Sequence, residues 1–221
     1  MLMQSPNAHR VGQWALFSGV IGAIAAGLLI AALAAPTPSP GSMRRETSLF
    51  AWQNAGVILQ ALGMIPVMLG LHALSLNKSN GPTCNLRLGL FAQISLIVTS
   101  ALLFTGIVSD MLYMAPIGLV GLWLLRFNRR DDALTSRALA LSGRIAGIGL
   151  CAIGLGFVIY GLTVAPAVFI RPLAPDEIDA QSLTPGNLVA HILMAAGTLI
   201  GRTIYPFWTI ALGRGVMKLE E

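Results

Sequence analysis

Charged residues are scarce in this chain of 221 residues. Only 10% of them are Asp, Glu, Lys or Arg, whereas 55% are hydrophobic, and a soluble globular domain carries about 25% charged residues. Fourteen basic and nine acidic side chains cannot cover the surface of a water-soluble protein of 23.3 kDa. The sequence therefore excludes a soluble fold and predicts a protein surrounded by lipid.

Several functional motifs are also missing. The two cysteines, Cys84 and Cys151, provide neither a disulfide framework nor metal-ligand spacing. There is no Gly-x-Ser-x-Gly elbow, no His-Glu-x-x-His and no phosphate-binding loop, which disfavours an enzyme. The net charge of +5 does not indicate nucleic-acid binding, because no basic stripe with interleaved aromatic residues accompanies it.

Apolar runs dominate what is present. A bilayer core of about 30 Å requires roughly 20 apolar residues of helix, and backbone groups in lipid must bond within their own segment or a closed barrel. The runs are too long for barrel strands, so we predict an all-α, polytopic transmembrane helical bundle in which residues 1–221 form one membrane domain. Six spans are expected, at about 11–35, 50–75, 88–108, 112–127, 138–164 and 188–213.

The distribution of cations predicts the orientation. Cytoplasmic loops carry an excess of Lys and Arg, and three of the cations lie on one side, at Arg44, Arg45 and Arg171. The side that holds the termini carries Arg10, Lys78, Arg87, Arg126, Arg129, Arg130, Arg137, Arg214 and Lys218. We therefore expect both termini in the cytoplasm and the protein in the plasma (inner) membrane.

Two connecting or terminal segments allow further predictions. Arg10, an apolar run and Ala32-Leu33-Ala34 are similar to a signal peptide, but the run of about 24 residues exceeds a signal core of 7–15, which favours a retained first helix. The long outer loop at 166–186 contains Pro175-Asp176-Glu177, which is typical of a short helix start.

Arg202 is the most informative residue. It lies about 11 residues from the inner end of the sixth span, roughly 16 Å deep, where a cation costs about 2.5 to 3.5 kcal/mol. No acid lies within a span, and Asp110 is only at the outer end of the third. Two interpretations stay open: a site for a solute carboxylate, a lipid phosphate or a partner's acid, and a structural Arg bonded to neutral groups. The neutral candidates are Gln60, Gln93, Tyr205 and Asn54.

Glycine spacing predicts where helices approach closely. Gly143 and Gly147 in the fifth span, and Gly197 and Gly201 in the sixth, are each four residues apart. Such pairs allow close packing in membranes, with a neighbour in the same chain or in another. Arg144, about two turns into the fifth span, is expected to extend to the cytoplasmic surface or to contribute to a cationic path towards Arg202.

No cofactor or metal is expected. His72 and His191 suggest a haem pair, but they should lie about 20 Å or more apart in depth. A metal bound outside by His191 and the acidic loop has little support in the spacing of those residues.

The last span carries the one resemblance to a known family. Tyr205-Pro206-Phe207-Trp208, followed by Leu212-Gly213-Arg214, resembles a segment of small six-helix bacterial membrane proteins of unknown function. In those proteins an aromatic-Pro-x-Trp segment leads into a Leu-Gly-Arg end. The resemblance implies a bacterial plasma-membrane protein and brings no activity with it.

Two functions lead, and a third, a cofactor-bearing electron carrier, predicts a coloured protein after purification. The first is a binding or structural subunit of a membrane assembly, or a homo-oligomer, with Arg202 facing a partner or lipid. The alternative is a small transporter for an anionic or amphiphilic solute, with Arg202 as the binding cation and the proline-kinked second and sixth helices, at Pro66 and Pro206, as moving parts. The alternative lacks a coupling carboxylate.

Overall fold

The fold is helical throughout the part of the chain that the computed structural model describes, residues 8–34, 47–76, 83–106, 108–109, 111–129, 136–172 and 185–218. These residues form a bundle of six helices without β-strands, and the predicted fold class is confirmed. The helices are α1 (Ala8–Ala34), α2 (Thr47–Leu76), α3 (Thr83–Leu103), α4 (Met114–Phe127), α5 (Arg137–Thr163) and α6 (Pro185–Met217).

Helix length distinguishes α4 from the other helices. The other five described helices are long and apolar enough to cross a membrane, whereas α4 has 14 residues, or about 21 Å. The prediction that the third span reaches residue 108 is wrong, because α3 ends at Leu103 and turns follow. Gly106 adopts φ 67° there, a left-handed conformation that glycine favours and that ends helices.

The helices pack in a ring around a common interior. Each described helix contacts its neighbours in chain order, and α6 returns to α1. Glycines in α1 permit this closure, since a Cβ on Gly19 would approach the Pro206 carbonyl oxygen to 2.8 Å. The apolar run at the N-terminus is thus an integral wall of the bundle, packed on both α2 and α6.

The two ends of the bundle differ in how tightly the ring closes. We call the end at which α1 begins and α6 finishes the termini end; Gly213 lies beside Gly12 there. The opposite end, where α2 and α6 begin, is the loop end. In its first half, Pro185–Gly197, α6 packs on α5 and has no substantial contact with α1 among the described residues. The ring is therefore closed at the termini end and looser at the loop end.

A π-helical turn interrupts α6 at Thr198–Arg202. Pro206 lies four residues beyond Arg202 and has no N–H to donate, and a proline ring clashes with the carbonyl four residues earlier. The carbonyl that Pro206 leaves without its α-helical bond is thus that of Arg202 itself. This turn carries Arg202 on a locally widened part of the helix, a feature that is frequent at functional sites.

The connection predicted at 166–186 has helical structure at both of its described ends. Pro166–Phe169 form a 3₁₀-helix, and α6 begins at Pro185, before the predicted start of the sixth span at about residue 188. Proline favours the first turn of a helix at both places. The short helix predicted at Pro175 to Asp179 lies outside the described residues.

Candidate functional site

A partly open cavity lies in the centre of the bundle. All six helices contribute to its wall, among others through Gly22, Gln60, Leu96, Ile117, Leu150 and Arg202. Gly22 and Leu150 lie near the midpoints of α1 and α5, which have 27 residues each. The cavity is therefore at half depth in the bundle.

Arg202 is half-buried at this cavity. Its Nη1 donates a hydrogen bond to the Tyr113 hydroxyl at 3.4 Å, and its guanidinium carbon lies 5.5 Å from the centre of the Tyr113 ring. This geometry is a cation–π contact with one long hydrogen bond. A guanidinium carries five N–H donors, so its capacity for acceptors far exceeds what Tyr113 provides.

The described residues contain no carboxylate that could neutralise Arg202. All nine Asp and Glu residues of the sequence, Asp110 included, lie outside them. A cation in an apolar interior is normally paired or exposed to water. The cavity is a space next to Arg202 in which an acceptor can sit.

Gln60 is a second donor in the cavity wall. Its Nε2 is buried and has no hydrogen-bond partner, which costs about 1 to 3 kcal/mol unless a partner occupies the cavity. Gly22 makes room for this amide, because a Cβ at Gly22 would lie 2.8 Å from Gln60 Oε1. The backbone carbonyl of Gln60 accepts a bond of 2.9 Å from the Ser18 hydroxyl, which fixes α2 against α1.

Tyr205 supplies a third donor. Its ring is buried and lines the cavity, and its hydroxyl accepts a bond of 3.3 Å from Gln93 Nε2. A hydroxyl that accepts still has its own hydrogen to donate. Arg202, Gln60 and Tyr205 therefore line one space with side chains that can donate, and Gln93 holds the Tyr205 hydroxyl.

Of the predicted site residues, three line the cavity and Gln93 joins them through Tyr205. Asn54 does not line it, and its Oδ1 is buried without a partner. Sequence reasoning missed Tyr113, because nothing in the sequence places the turn before α4 beside the middle of α6. The small residue Gly22 was also missed as a site residue, although a glycine opposite Gln60 is what admits the amide.

Aliphatic side chains form most of the remaining wall, including Val57, Leu96, Val120 and Leu150. An occupant would therefore meet three side chains that can donate and an otherwise hydrocarbon wall. This arrangement suits an anionic or strongly accepting head group attached to an apolar body.

An aromatic cluster closes the interior on the termini side of the cavity. Trp208 stacks on Tyr205 at 6.2 Å between ring centres and meets Trp123 edge-on at 6.1 Å, and Phe127 packs against both indoles. Trp208 is 1% exposed. The rings therefore pack the interior on this side of the cavity.

Gly143, predicted as a packing residue, lies at the edge of this cluster. A Cβ there would come within 2.5 Å of both the Asn128 side-chain carbon and Trp208 Nε1. Asn128 Oδ1 and Trp208 Nε1 are buried and have no hydrogen-bond partner. Since one is an acceptor and the other a donor, a single water between them would satisfy both.

Arg144 is placed at the end of α4. Its Nε donates to the carbonyl oxygen of Asn128 at 2.8 Å, and its Nη2 to that of Arg129 at 3.4 Å. A cation at a helix C-terminus satisfies carbonyls that the helix leaves unpaired. Arg144 thus fastens α5 to α4, and the hypothesis that it lines a path to Arg202 finds no support in these contacts.

The other predicted glycines pack against helices of the same chain. Gly149 of α5 fits between Gly197 and Gly201: its added Cβ would lie 2.5 Å from the Gly201 nitrogen, and one on Gly197 would lie 2.5 Å from the Gly149 oxygen. A Cβ added to Gly147 would lie 2.9 Å from Cγ of Leu125 in α4. These close approaches hold Arg202 at a fixed distance from α5.

The two membrane histidines occupy separate settings. His191 Nδ1 is 2.9 Å from the Asn187 carbonyl oxygen, and its ring meets Tyr160 edge-on. His72 lies in the last turns of α2, near the termini end. In the described part of the chain, no three His, Cys, Asp or Glu side chains come together as metal ligands.

Comparison with protein-family models, with curated proteins and with solved structures finds no match for this chain. The resemblance of residues 205–214 to six-helix bacterial membrane proteins therefore stays a prediction.

Proposed function

We propose that this membrane protein binds and carries a small amphiphilic anion, with Arg202 as the binding cation. The observation that supports it most is that Arg202 lines a cavity at half depth, where its hydrogen-bond partner among the described residues is the neutral Tyr113 hydroxyl. An ion there needs a counter-charge or water. A ligand carboxylate or phosphate supplies the counter-charge and accepts two parallel bonds from the guanidinium.

The remaining cavity residues suit the same ligand. The Gln60 amide and the Tyr205 hydroxyl add neutral donors, and the aliphatic wall accommodates a hydrocarbon body. The looser ring at the loop end and the aromatic closure at the termini end are what a carrier open towards one side would have. The π-helical turn and Pro206 give α6 a place to bend between two states.

The subunit role has less support. It would use the glycine faces of α5 and α6 for a partner, but Gly197 and Gly201 already pack on Gly149 of the same chain. Arg202 likewise lines the cavity of its own bundle.

We also propose that the protein resides in the plasma (inner) membrane with both termini in the cytoplasm. The cation excess beside the termini supports this orientation. A reporter enzyme that is active only in the cytoplasm, fused after Glu221, should be active, and the same reporter inserted after Pro38 should be inactive. The reverse pattern would contradict the orientation.

The binding proposal is tested with octanoate as the probe. Trp208 stacks on the cavity residue Tyr205, and Trp123 packs against Trp208. The fluorescence of both should therefore change as octanoate binds to the purified protein. Octan-1-ol, which has the same chain and no charge, should bind at least tenfold more weakly. Equal responses to the acid and the alcohol would contradict an anion site.

Substitutions of Arg202 and Arg214 test whether Arg202 is the cation that binds octanoate. Arg202→Gln should weaken octanoate binding at least tenfold, because charge-assisted bonds contribute about 1.5 to 3 kcal/mol and a factor of ten is about 1.4 kcal/mol. Arg202→Lys should be intermediate, since it keeps the charge but loses the planar fork. Arg214→Gln makes the same charge change at an exposed position of the same helix and should leave binding unchanged.

A variant of Asp110 tests the rival explanation, in which this carboxylate neutralises Arg202. Asp110 lies outside the described residues but only three positions before Tyr113. If Arg202 serves an external anion, Asp110→Asn should leave octanoate binding nearly unchanged. A marked strengthening would instead indicate that the Asp110 carboxylate neutralises Arg202 in the wild type and competes with the anion.

A further inference from the structure

Two buried polar side chains outside the cavity have no hydrogen-bond partner and lie on the same side of it. Gln53 of α2 is 2% exposed and Ser100 of α3 is 0% exposed. Gln53 Nε2 and Ser100 Oγ are both without a partner. Buried polar groups in native proteins are nearly always satisfied by protein or by ordered water, so these two atoms call for a physical explanation.

Helical spacing aligns Gln53 with the cavity wall. Val57 and Gln60, four and seven residues further along α2, both line the cavity. Residues separated by four and seven positions share a helix face. Gln53 therefore continues the cavity-lining face of α2, about 6 Å beyond Val57 at 1.5 Å per residue.

Ser100 stands in the same relation to α3. Leu96 lines the cavity, and Ser100 follows it by four residues, again one turn along the same face. Because α2 begins at the loop end and α3 finishes there, Gln53 and Ser100 are both displaced from the cavity towards the loop end. An amide and a hydroxyl thus lie at one level on the two helices, just beyond the cavity on its less tightly closed side.

We propose that Gln53 and Ser100 form a hydrated access path through which water and the anion pass between the loop end and the Arg202 cavity. The path rests on the proposed function, since it names the route to that site. Water along it satisfies the amide and the hydroxyl, and their mobile dipoles replace part of the hydration of a passing carboxylate. On the termini side the rings of Trp208, Trp123 and Phe127 pack against one another.

Cysteine labelling in lipid nanodiscs tests the path. Single cysteines are introduced as Gln53→Cys and Ser100→Cys in a chain that also carries Cys84→Ala and Cys151→Ala. The controls are Trp52→Cys and Val98→Cys, which lie at similar depth but face outwards, with 67% and 51% exposure. An impermeant anionic methanethiosulfonate is the reagent, and the extent of labelling is read by mass spectrometry.

The path predicts labelling of the Gln53 and Ser100 positions at least tenfold faster than of either control. Thiols react as thiolates, which form in water but not in lipid. Adding Arg202→Gln should slow the anionic reagent at both positions more than a cationic methanethiosulfonate of similar size. Labelling no faster than at the outward-facing controls would overturn the path.

Binding kinetics distinguish an effect on the access path from an effect on the binding site. They also test the path if the cysteine variants react poorly with the labelling reagent. Gln53→Leu and Ser100→Val should slow both the association and the dissociation of octanoate about fivefold and leave its Kd unchanged. An altered Kd, or unaltered rates, would overturn the path. If octanoate binds normally while the cysteines stay unlabelled, the path alone fails; if they label rapidly and octanoate does not bind, the proposed function fails and the hydrated path stands.

Discussion

At the scale of residues, a charged Arg202 in an apolar interior is unfavourable for the stability of the fold but suited to the proposed binding of an anion. Its guanidinium meets Tyr113 through one hydrogen bond of 3.4 Å and the ring face, and the described residues offer it no acid. A structural arginine would be saturated by carbonyl and amide oxygens. The geometry instead leaves most of its donors for an occupant of the cavity.

Thermal stability distinguishes these two roles. Arg202→Met should raise the Tm of the ligand-free protein by a few degrees, because it removes an unneutralised cation and keeps an unbranched side chain; 1 kcal/mol corresponds to about 2 to 4 °C at this size. Thermal unfolding of both proteins in the same detergent is the measurement. A fall in Tm would indicate that Arg202 supports the fold.

The residue scale also marks the limit of sequence reasoning. Arg202, Gln60, Gln93 and Tyr205 could be selected from the sequence because polar side chains inside apolar spans are conspicuous. Tyr113 and Gly22 could not, because the first lies in a connection whose path the sequence does not determine, and the second resembles any other membrane glycine. What makes both relevant is a contact between helices distant in the chain.

At the scale of elements, α6 combines a glycine contact, a π-helical turn and an interior proline within ten residues. Gly197 and Gly201 fix the helix to Gly149 of α5, and Pro206 prevents the regular bond to the Arg202 carbonyl. The position of Arg202 thus depends on both constraints. The sequence indicated the glycines and the kink but not the π-helical turn, since it requires the packing of α5 to hold it.

The glycine contact predicts a large packing effect. Gly149→Ala should lower the free energy of unfolding by about 1 to 3 kcal/mol, because its Cβ would lie 2.7 Å from the Gly201 Cα, and backbone atoms cannot yield cheaply. Gly27→Ala is the matched control, with no atom within 4 Å of the added carbon, and should be neutral or stabilising. Chemical unfolding of the two variants measures the difference; equal effects would contradict the packing.

The proline predicts an effect on binding. Pro206→Ala restores an N–H that can bond to the Arg202 carbonyl, so the π-helical turn should relax towards regular α-helix and turn Arg202 away from the cavity. Octanoate binding should weaken at least fivefold while the protein remains folded. Pro66→Ala, which alters the interior proline of α2, should leave binding nearly unchanged, and an equal loss in both variants would contradict a specific role for the turn.

At the scale of the whole molecule, the six described helices close a ring whose interior contains the cavity. The fraction of apolar residues and the lengths of the apolar runs sufficed to predict the all-helical bundle. The backbone in hydrocarbon must satisfy its own hydrogen bonds, which leaves few structures other than helices. Composition and run length did not suffice for the order of the ring or for the early end of α3, which follow from contacts and from the backbone at Gly106.

A complete ring predicts that one chain is sufficient for binding. The protein should bind octanoate as a monomer of 23.3 kDa in mild detergent, since all six described helices contribute to the wall of the cavity. Light scattering coupled to size-exclusion chromatography, followed by titration of the monomer fraction, measures this. Binding confined to a larger species would favour the subunit role.

The central claim is that Arg202 holds an anion in the middle of the bundle. Native mass spectrometry of protein released from lipid nanodiscs in the presence of octanoate tests it most directly, with wild type, Arg202→Gln and Arg214→Gln measured side by side. The account predicts a one-to-one octanoate adduct on wild type and on Arg214→Gln and none on Arg202→Gln. Equal adduct formation by all three proteins, or none by the wild type, would contradict it.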